Sequence, residues 1–143
     1  EGLGSLKIGA GSVLRDGGDV AIVACGVMVE RALIAADTLS EEGIGCTVVD
    51  MHTIKPLDTG LIAKLADSCG CFVSAEDHSI IGGLGGAIAE WLSSNCPKPL
   101  EMVGVCDRFG ESGGSEELMQ SLGMTPDDIV NAARKSISRK NPK

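Results

Sequence analysis

The sequence predicts a single α/β domain of three layers, a mainly parallel sheet of about five strands with helices on both faces. A chain of 143 residues suits one domain and is long enough to bury a core. Apolar residues make up 43% of the chain and charged residues 22%, which is typical of globular proteins. Short apolar runs alternate with amphipathic segments, and short connections join them, as in strands linked by crossover helices.

The N-terminal part of the chain is predicted to contain an arm, a strand and a helix. Residues 1–15 are glycine-rich and are expected to form an arm or a short edge strand at Lys7-Ile8-Gly9, ahead of the domain itself at 16–143. The continuous apolar run at 20–25 predicts a strand that is buried on both faces. The amphipathic segment at 27–42, which a glycine ends, predicts the first helix.

The middle of the chain continues the alternation. Residues 46–50 predict a second strand, and Asp58 is placed to cap a helix that runs to about residue 68. Residues 70–76 predict a third strand. The glycine cluster Gly82-Gly83-Leu84-Gly85-Gly86 then begins a helix that runs to about residue 94.

The C-terminal part adds a strand and two helices. Residues 100–105 predict the fourth strand, and a polar loop at 107–114 follows it. A short helix is expected at 116–122. The last helix, which runs to about residue 138, begins at Thr125-Pro126-Asp127-Asp128. An N-cap, a proline in the first turn and an acid three residues after the cap agree on that start.

Charge and composition argue against several classes of function. The net charge is −8, and the aromatic residues are two phenylalanines and one tryptophan, so the chain offers little to a nucleic-acid backbone or to stacked bases. No apolar run is long enough to span a membrane, and the N-terminus lacks the pattern of a signal peptide. We therefore expect a cytoplasmic protein. The basic run at 134–143 fits the end of a helix or, alternatively, a tail that binds anions.

The six cysteines follow no pattern of a metal site or a disulfide framework. None forms a C-x-x-C motif, and no histidine lies at zinc-finger spacing from any of them. We expect most of them to act as small buried apolar residues. They are Cys25, Cys46, Cys69, Cys71, Cys96 and Cys106.

The glycine cluster allows two interpretations. Glycines between a strand and a helix let backbone N–H groups approach an anion at the helix N-terminus, so Gly83 and Gly85 are candidate contacts for a small anion or a partner. The same glycines also fit a tight turn with close packing of the helix on the sheet. A dinucleotide site is disfavoured, because Ile88 stands where the fingerprint needs a third glycine and no acid follows at the expected offset.

Polar side chains follow three of the predicted strands. Glu76 and His78 end the third strand, His52 follows the second, and Arg108 and Ser112 follow the fourth. Because parallel strands end at one edge of a sheet, we expect these five side chains to converge there with the free N–H groups of the glycine cluster, on a surface for a small anion or an acidic partner loop.

The structural alternative for the same residues is a set of turns, loop hydrogen bonds and salt bridges. Glu76 and His78 have the chemistry of an acid–base pair, but no recognisable nucleophile, no second carboxylate at an obvious spacing and no metal pattern accompanies them. The residues alone therefore assign no catalytic, cofactor-binding or metal-binding position.

Five segments taken together resemble the C-terminal domain of transketolase, over about residues 7–138. They are DVAIVACG at 19–26, HTIKPLD at 52–58, EDH at 76–78 with GGLG at 82–85, DRFGESG at 107–113, and a closing stretch that includes EL at 117–118, GMT at 123–125 and Ile129. The resemblance depends on their order along the chain, since none of them is decisive alone.

The resemblance implies an enzyme that uses thiamine diphosphate and Mg²⁺ to move a two-carbon ketol unit from a ketose phosphate to an aldose phosphate. In that family two other domains hold the cofactor, one of them through a Gly-Asp-Gly motif that this sequence lacks. The C-terminal domain mainly shapes the dimer. The resemblance therefore implies no cofactor ligand in this chain and an isolated domain without activity. Its implied partners are the other transketolase domains or subunit, in a homo-oligomer of the pentose phosphate pathway, with residues 1–15 as the connection to the preceding domain.

Two relatives share this domain and remain alternatives. One is deoxyxylulose-phosphate synthase, and the other is the β-chain of the 2-oxo-acid dehydrogenases, whose C-terminal domain docks on an acyltransferase core. His78 after the acid pair and Glu111-Ser112-Gly113 look more like transketolase, of the kind encoded as two subunits. The sequence leaves the sugar specificity and the oligomeric state open.

Overall fold

The computed structural model describes residues 7–107 and 115–141, which contain five strands and five helices. In chain order the elements are β1 Ser12–Arg15, β2 Val20–Ala24, α1 Met28–Glu41, β3 Cys46–Asp50, α2 Thr59–Ser68, β4 Phe72–Ser79, α3 Leu84–Asn95, β5 Leu100–Val105, α4 Ser115–Ser121 and α5 Pro126–Lys140. None of these helices has the length and apolar character that a membrane span requires.

The strands form one mixed sheet in the order β1-β3-β2-β4-β5. β3, β2, β4 and β5 are parallel, and β1 pairs antiparallel with β3 at one edge. The predicted α/β architecture with a mainly parallel sheet is therefore confirmed. β3 lies on one side of β2, whereas β4 and β5 lie on the other. Because the chain crosses over in both directions, its helices cover both faces of the sheet.

The edge strand predicted at Lys7-Ile8-Gly9 is wrong in position, since the strand is Ser12–Arg15. Residues 7–10 form a turn instead, closed by a hydrogen bond from the Ala10 N–H to the Lys7 carbonyl. Gly9 has a φ of 81°, which a β-strand does not accommodate. β1 thus lies within the segment expected to be an arm, whose first six residues lie outside the described residues.

Two apolar cores lie on opposite faces of the sheet, and successive side chains of β2 enter them alternately. Val20, Ile22 and Ala24 pack with α1, α4 and α5, whereas Ala21 and Val23 pack with α2 and α3. All five side chains of β2 are fully buried, as the continuous apolar run predicts. The three layers follow from this division.

β4 is longer than predicted and carries Glu76 inside the strand. The sequence predicts that the strand ends at residue 76, but β4 continues to Ser79. β5 accompanies this extension past an irregularity in register, with Ser79 opposite Val105, and the Ile80 N–H donates to the Val105 carbonyl. The extension brings Asp77 and His78 to the edge of the sheet where the parallel strands end.

The basic residues of α5 hold the opposite edge of the sheet. Lys135 and Arg139 pair with Glu101 at 2.8 and 2.6 Å, and the Lys140 Nζ donates to the Cys69 carbonyl at 2.6 Å. These contacts extend the helix two residues beyond its predicted end at 138. The described part of the basic run therefore ends a helix, as one of the two interpretations predicts.

The N-terminus of α5 gives a first test of the local contacts. The Thr125 hydroxyl accepts from the Asp128 N–H, and the Asp128 carboxylate accepts from the Thr125 N–H, as in a capping box. Thr125→Ala should lower the free energy of unfolding by about 1 kcal/mol in urea denaturation followed by circular dichroism. Ser138→Ala, at an exposed position of the same helix, is the control and should change it by less than about 0.5 kcal/mol. Equal losses in the two variants would contradict the capping box.

Candidate functional site

The carboxyl ends of the parallel strands border a groove of about 500 Å³, which we call the carboxyl-edge groove. In an open parallel sheet this edge is the usual position for ligands. The groove is lined by Cys25, Gly26, Val27, Ile54, Glu76, Asp77, His78, Gly82 and Gly83. A neighbouring cavity of about 570 Å³, which includes Trp91, shares part of this lining.

Glu76 is fully buried at the floor of this edge and binds the N-terminus of α3. Its two carboxylate oxygens accept hydrogen bonds from the Leu84 N–H at 2.7 Å and the Gly85 N–H at 2.9 Å. The first N–H groups of a helix have no partner inside the helix and carry partial positive charge, so a carboxylate is a strong acceptor for them. The expectation that these N–H groups are free is therefore wrong.

Gly83 and Gly85 are glycines because Glu76 and β4 approach them closely. A Cβ atom at Gly83 would overlap the Glu76 carboxylate and lie 2.8 Å from the Ser79 carbonyl oxygen. At Gly85 it would lie 2.5 Å from the Ser74 Oγ. The interpretation of the cluster as a tight turn with close packing accounts for these contacts. An external anion at Gly83 and Gly85 stays a prediction, and it would compete with the Glu76 carboxylate.

The two histidines lie at the same edge, but the ring of each one contacts the residue that follows it in the sequence. His52 is half-buried, with its Nδ1 3.1 Å from the Thr53 Oγ1, and His78 is exposed, with its Nδ1 2.9 Å from the Ser79 carbonyl oxygen. The hydrogen bonds of the Glu76 carboxylate go to α3 rather than to His78. Arg108 and Ser112 lie outside the described residues, so the convergence of all five side chains stays a prediction.

The electrostatics of the groove are acidic around Cys25, which directly follows β2. Burial raises the pKa of the Cys25 thiol, and the carboxylates of Glu76, Asp50 and Asp77 raise it further. A thiol with a raised pKa is protonated at neutral pH and is a poor nucleophile. In residues 7–107 and 115–141, no group of three or more histidine, cysteine, aspartate or glutamate side chains is arranged to hold a metal ion.

Sequence reasoning missed three exposed apolar residues at this edge. Val27, Ile54 and Ile81 follow β2, β3 and β4 and are 57%, 38% and 66% exposed. A signal for them was present in the sequence. Val27 falls outside the apolar stripe of its helix, and Ile81 stands in a glycine-rich turn, where an apolar side chain has no core to enter.

Comparison with known proteins gives one consistent match. A family model described as the C-terminal domain of transketolase matches residues 9–129. The chain is 48% identical over 134 residues to the 6-deoxy-6-sulfo-D-fructose transketolase subunit SqwH of Clostridium sp. (strain MSTE9). The match covers 94% of this chain and 42% of the relative. It is 41% identical to the 1-deoxy-D-xylulose-5-phosphate synthase of Gloeobacter violaceus, over 96% of this chain and 22% of the relative.

Among solved structures, the chain is similar to one described as a split gene transketolase, an inactive beta4 tetramer. The TM-score is 0.92 and the sequence identity 46%, over 95% of this chain and 45% of the other. The chain thus spans less than half the length of these relatives.

The packing of Glu76 against the glycines predicts a sharp contrast between two positions at the start of α3. Gly83→Ala, at the residue that precedes the helix, should destabilise the protein by about 3 kcal/mol or more, because the new methyl group displaces the carboxylate from its two N–H donors. Gly86→Ala is the matched control, since a Cβ atom there would meet nothing closer than the Ile80 carbonyl oxygen at 3.9 Å. It should leave stability unchanged or raise it by about 0.4–1 kcal/mol. Equal effects of the two variants in urea unfolding would refute the arrangement.

The raised pKa of Cys25 predicts its alkylation profile. Iodoacetamide should modify Cys25 more slowly than the exposed Cys106 at neutral pH, measured by mass spectrometry of proteolytic peptides. An unperturbed thiol is mostly ionised above about pH 9, whereas the rate at Cys25 should still rise there because its thiolate forms later. A rate at Cys25 that levels off near the ordinary thiol pKa would contradict this environment.

Proposed function

The chain belongs to the transketolase C-terminal domain family, and from this we propose that it serves a thiamine-diphosphate enzyme that transfers a two-carbon ketol unit between sugar phosphates. In this proposal the chain contributes to assembly and supplies no cofactor ligand. The isolated chain is inactive, and the complete enzyme is a cytoplasmic oligomer that holds more than one copy of this chain together with its companion subunit. The relatives, which are more than twice as long as this chain's match to them, support further domains in the working enzyme.

The main support for an assembly role without cofactor binding is that the N–H groups at the start of α3 already bind a side chain of this chain. Diphosphate binding needs helix or loop N–H groups and a metal held by oxygen ligands. Here the buried Glu76 carboxylate takes the N–H groups of Leu84 and Gly85, and the described residues offer no metal-binding cluster. This arrangement of the described residues supports the proposal that other domains of the enzyme hold thiamine diphosphate and Mg²⁺.

Deoxyxylulose-phosphate synthase is the second candidate, because the chain is also 41% identical to one such enzyme. Its name gives 1-deoxy-D-xylulose 5-phosphate as the product, so its activity can be distinguished from ketol transfer by the product formed. A partner-docking role, as in the oxo-acid dehydrogenase β-chains, is the third candidate. The higher identity to a transketolase subunit and the 0.92 TM-score to a split gene transketolase favour ketol transfer.

The decisive experiment is a donor screen on the complete enzyme, assembled from the full-length subunit that carries this chain and its companion subunit. Ketose phosphates and 6-deoxy-6-sulfofructose are offered as donors with an aldose phosphate acceptor, and pyruvate with glyceraldehyde 3-phosphate is offered separately. We expect ketol transfer from a ketose donor, and removal of residues 16–143 should abolish it. A product from pyruvate and glyceraldehyde 3-phosphate, with none from any ketose donor, would replace this function with that of the synthase.

A second measurement tests the assembly role directly. Calorimetry of the isolated chain with thiamine diphosphate and Mg²⁺ should give no binding heat. Micromolar binding would show that the chain holds the cofactor and would overturn the division of roles.

A further inference from the structure

The cavity beside the carboxyl-edge groove lies between the β3–α2 loop and α3, and we call it the Trp91 cavity. Its volume is about 570 Å³, which is ordinary for a ligand pocket. Its apolar lining residues are Ile54, Leu57, Ala87 and Trp91. Ile54 lines the carboxyl-edge groove as well, and so do Gly82 and Gly83. These shared residues join the cavity and the groove into one continuous depression.

Trp91 and the small residues before it make this cavity open and apolar. Ala87 and Gly83 precede Trp91 by one and two turns, so the face of the helix that borders the cavity carries small residues up to the indole ring. Trp91 and Leu57 are both packed against the core between the sheet, α2 and α3. A half-buried aromatic ring gives the apolar part of a ligand a rigid surface to pack on.

The carboxyl-edge groove is the negative half of this depression. Asp77 is exposed there and has no ion-pair partner within the described residues. The buried Glu76 carboxylate adds a second charge directly behind Gly83, where little water screens it. Among the described residues, no lysine or arginine lines this groove. The Trp91 cavity has no such excess, because its charged lining residues are one cation and one anion, Lys55 and Glu90.

We propose that this depression binds an organic amine, with the ammonium group beside Asp77 in the carboxyl-edge groove and an aromatic or aliphatic body in the Trp91 cavity. The ammonium group is attracted to the negative half, and the body leaves water for the apolar half. The net charge of −8 also raises the concentration of cations near the protein. Anions such as sugar phosphates are repelled by the same carboxylates, so this ligand differs in charge from the substrates of the proposed function, and the inference goes beyond that function.

The cavity between α1 and α4, of about 410 Å³, also borders Asp77 but is a poorer place for the body of the amine. Its described lining residues include no aromatic side chain. They do include Arg31, whose guanidinium is paired with Glu116 at 2.7 Å and places a positive charge there. The body of the ligand is therefore assigned to the Trp91 cavity.

Titration of the purified chain with 4-phenylbutylamine tests the proposal, because Trp91 is the single tryptophan of the sequence and reports on its own cavity. Its fluorescence is excited at a wavelength that phenyl rings do not absorb, and calorimetry measures the same dissociation constant independently. We expect saturable binding with a dissociation constant of about 1 mM or tighter. Two matched probes should each bind at least about tenfold more weakly: 4-phenylbutyrate, which carries the opposite charge, and butylamine, which has no ring.

Two pairs of variants test the two halves of the site. Asp77→Lys should weaken binding of the amine about tenfold or more and remove its advantage over 4-phenylbutyrate. Asp67→Lys makes the same change in net charge at an exposed position near the end of α2, outside both linings, and should bind like the wild type. Ile54→Ser should weaken binding about fivefold, whereas Val13→Ser, at an exposed position on β1, should not. Circular dichroism spectra must match across all variants, so that lost binding is not lost fold.

Three results would overturn the inference: Trp91 emission that stays constant through the titration, equal affinities for 4-phenylbutylamine and 4-phenylbutyrate, or equal effects of Asp77→Lys and Asp67→Lys. Binding heat without a change in Trp91 emission would place the amine outside the cavity and contradicts the inference as well. None of these measurements involves ketol transfer, so failure here is distinguishable from failure of the proposed function.

Discussion

The carboxylate of Glu76 at the N-terminus of α3 constrains the whole carboxyl edge of the sheet. The side chain reaches that position because β4 continues through residue 76 to Ser79, past an irregularity in its register with β5. The helix must then begin within hydrogen-bond distance of a buried charge, and only glycines at 83 and 85 leave room for the approach. A buried carboxylate is tolerated when charge-assisted hydrogen bonds replace its water, and the two amides of α3 supply them.

The same close approach is unfavourable at Ser74, which lies two residues before Glu76 in β4. The Ser74 hydroxyl is fully buried and has no hydrogen-bond partner within the described residues, because Gly85 packs directly over it. An unpaired buried hydroxyl costs about 1–3 kcal/mol. The helix is therefore held against β4 by the Glu76 contacts strongly enough to cover a polar group that would otherwise be hydrated.

Sequence periodicity predicted the order and type of the elements after the N-terminal arm because burial on both faces of a parallel sheet leaves continuous apolar runs. Asp58 and Thr125 cap their helices as predicted, since capping is decided by neighbours within three residues. The role of Glu76 could not be predicted in this way, because its carboxylate accepts hydrogen bonds from residues eight and nine positions further along the chain, beyond a turn. The glycine cluster was recognised, but its partner was sought in an external anion rather than in the preceding strand. Arg108 and Ser112 lie outside the described residues, so their part of the predicted surface has no structural counterpart.

The two edges of the sheet differ in how their polar and charged groups are used. At the amino edge α5 satisfies backbone carbonyls directly, with the Ser136 Oγ donating to the Phe72 carbonyl at 2.8 Å and the Lys140 Nζ to that of Cys69. Its other cations are neutralised by Glu101 and Glu42. At the carboxyl edge the hydrogen bonds of Glu76 are buried beneath α3, and the surface above them keeps apolar side chains and an exposed carboxylate. The amino edge is thus fixed by contacts of α5 and the carboxyl edge by the contacts of Glu76 with α3, so that one helix secures each edge of the sheet.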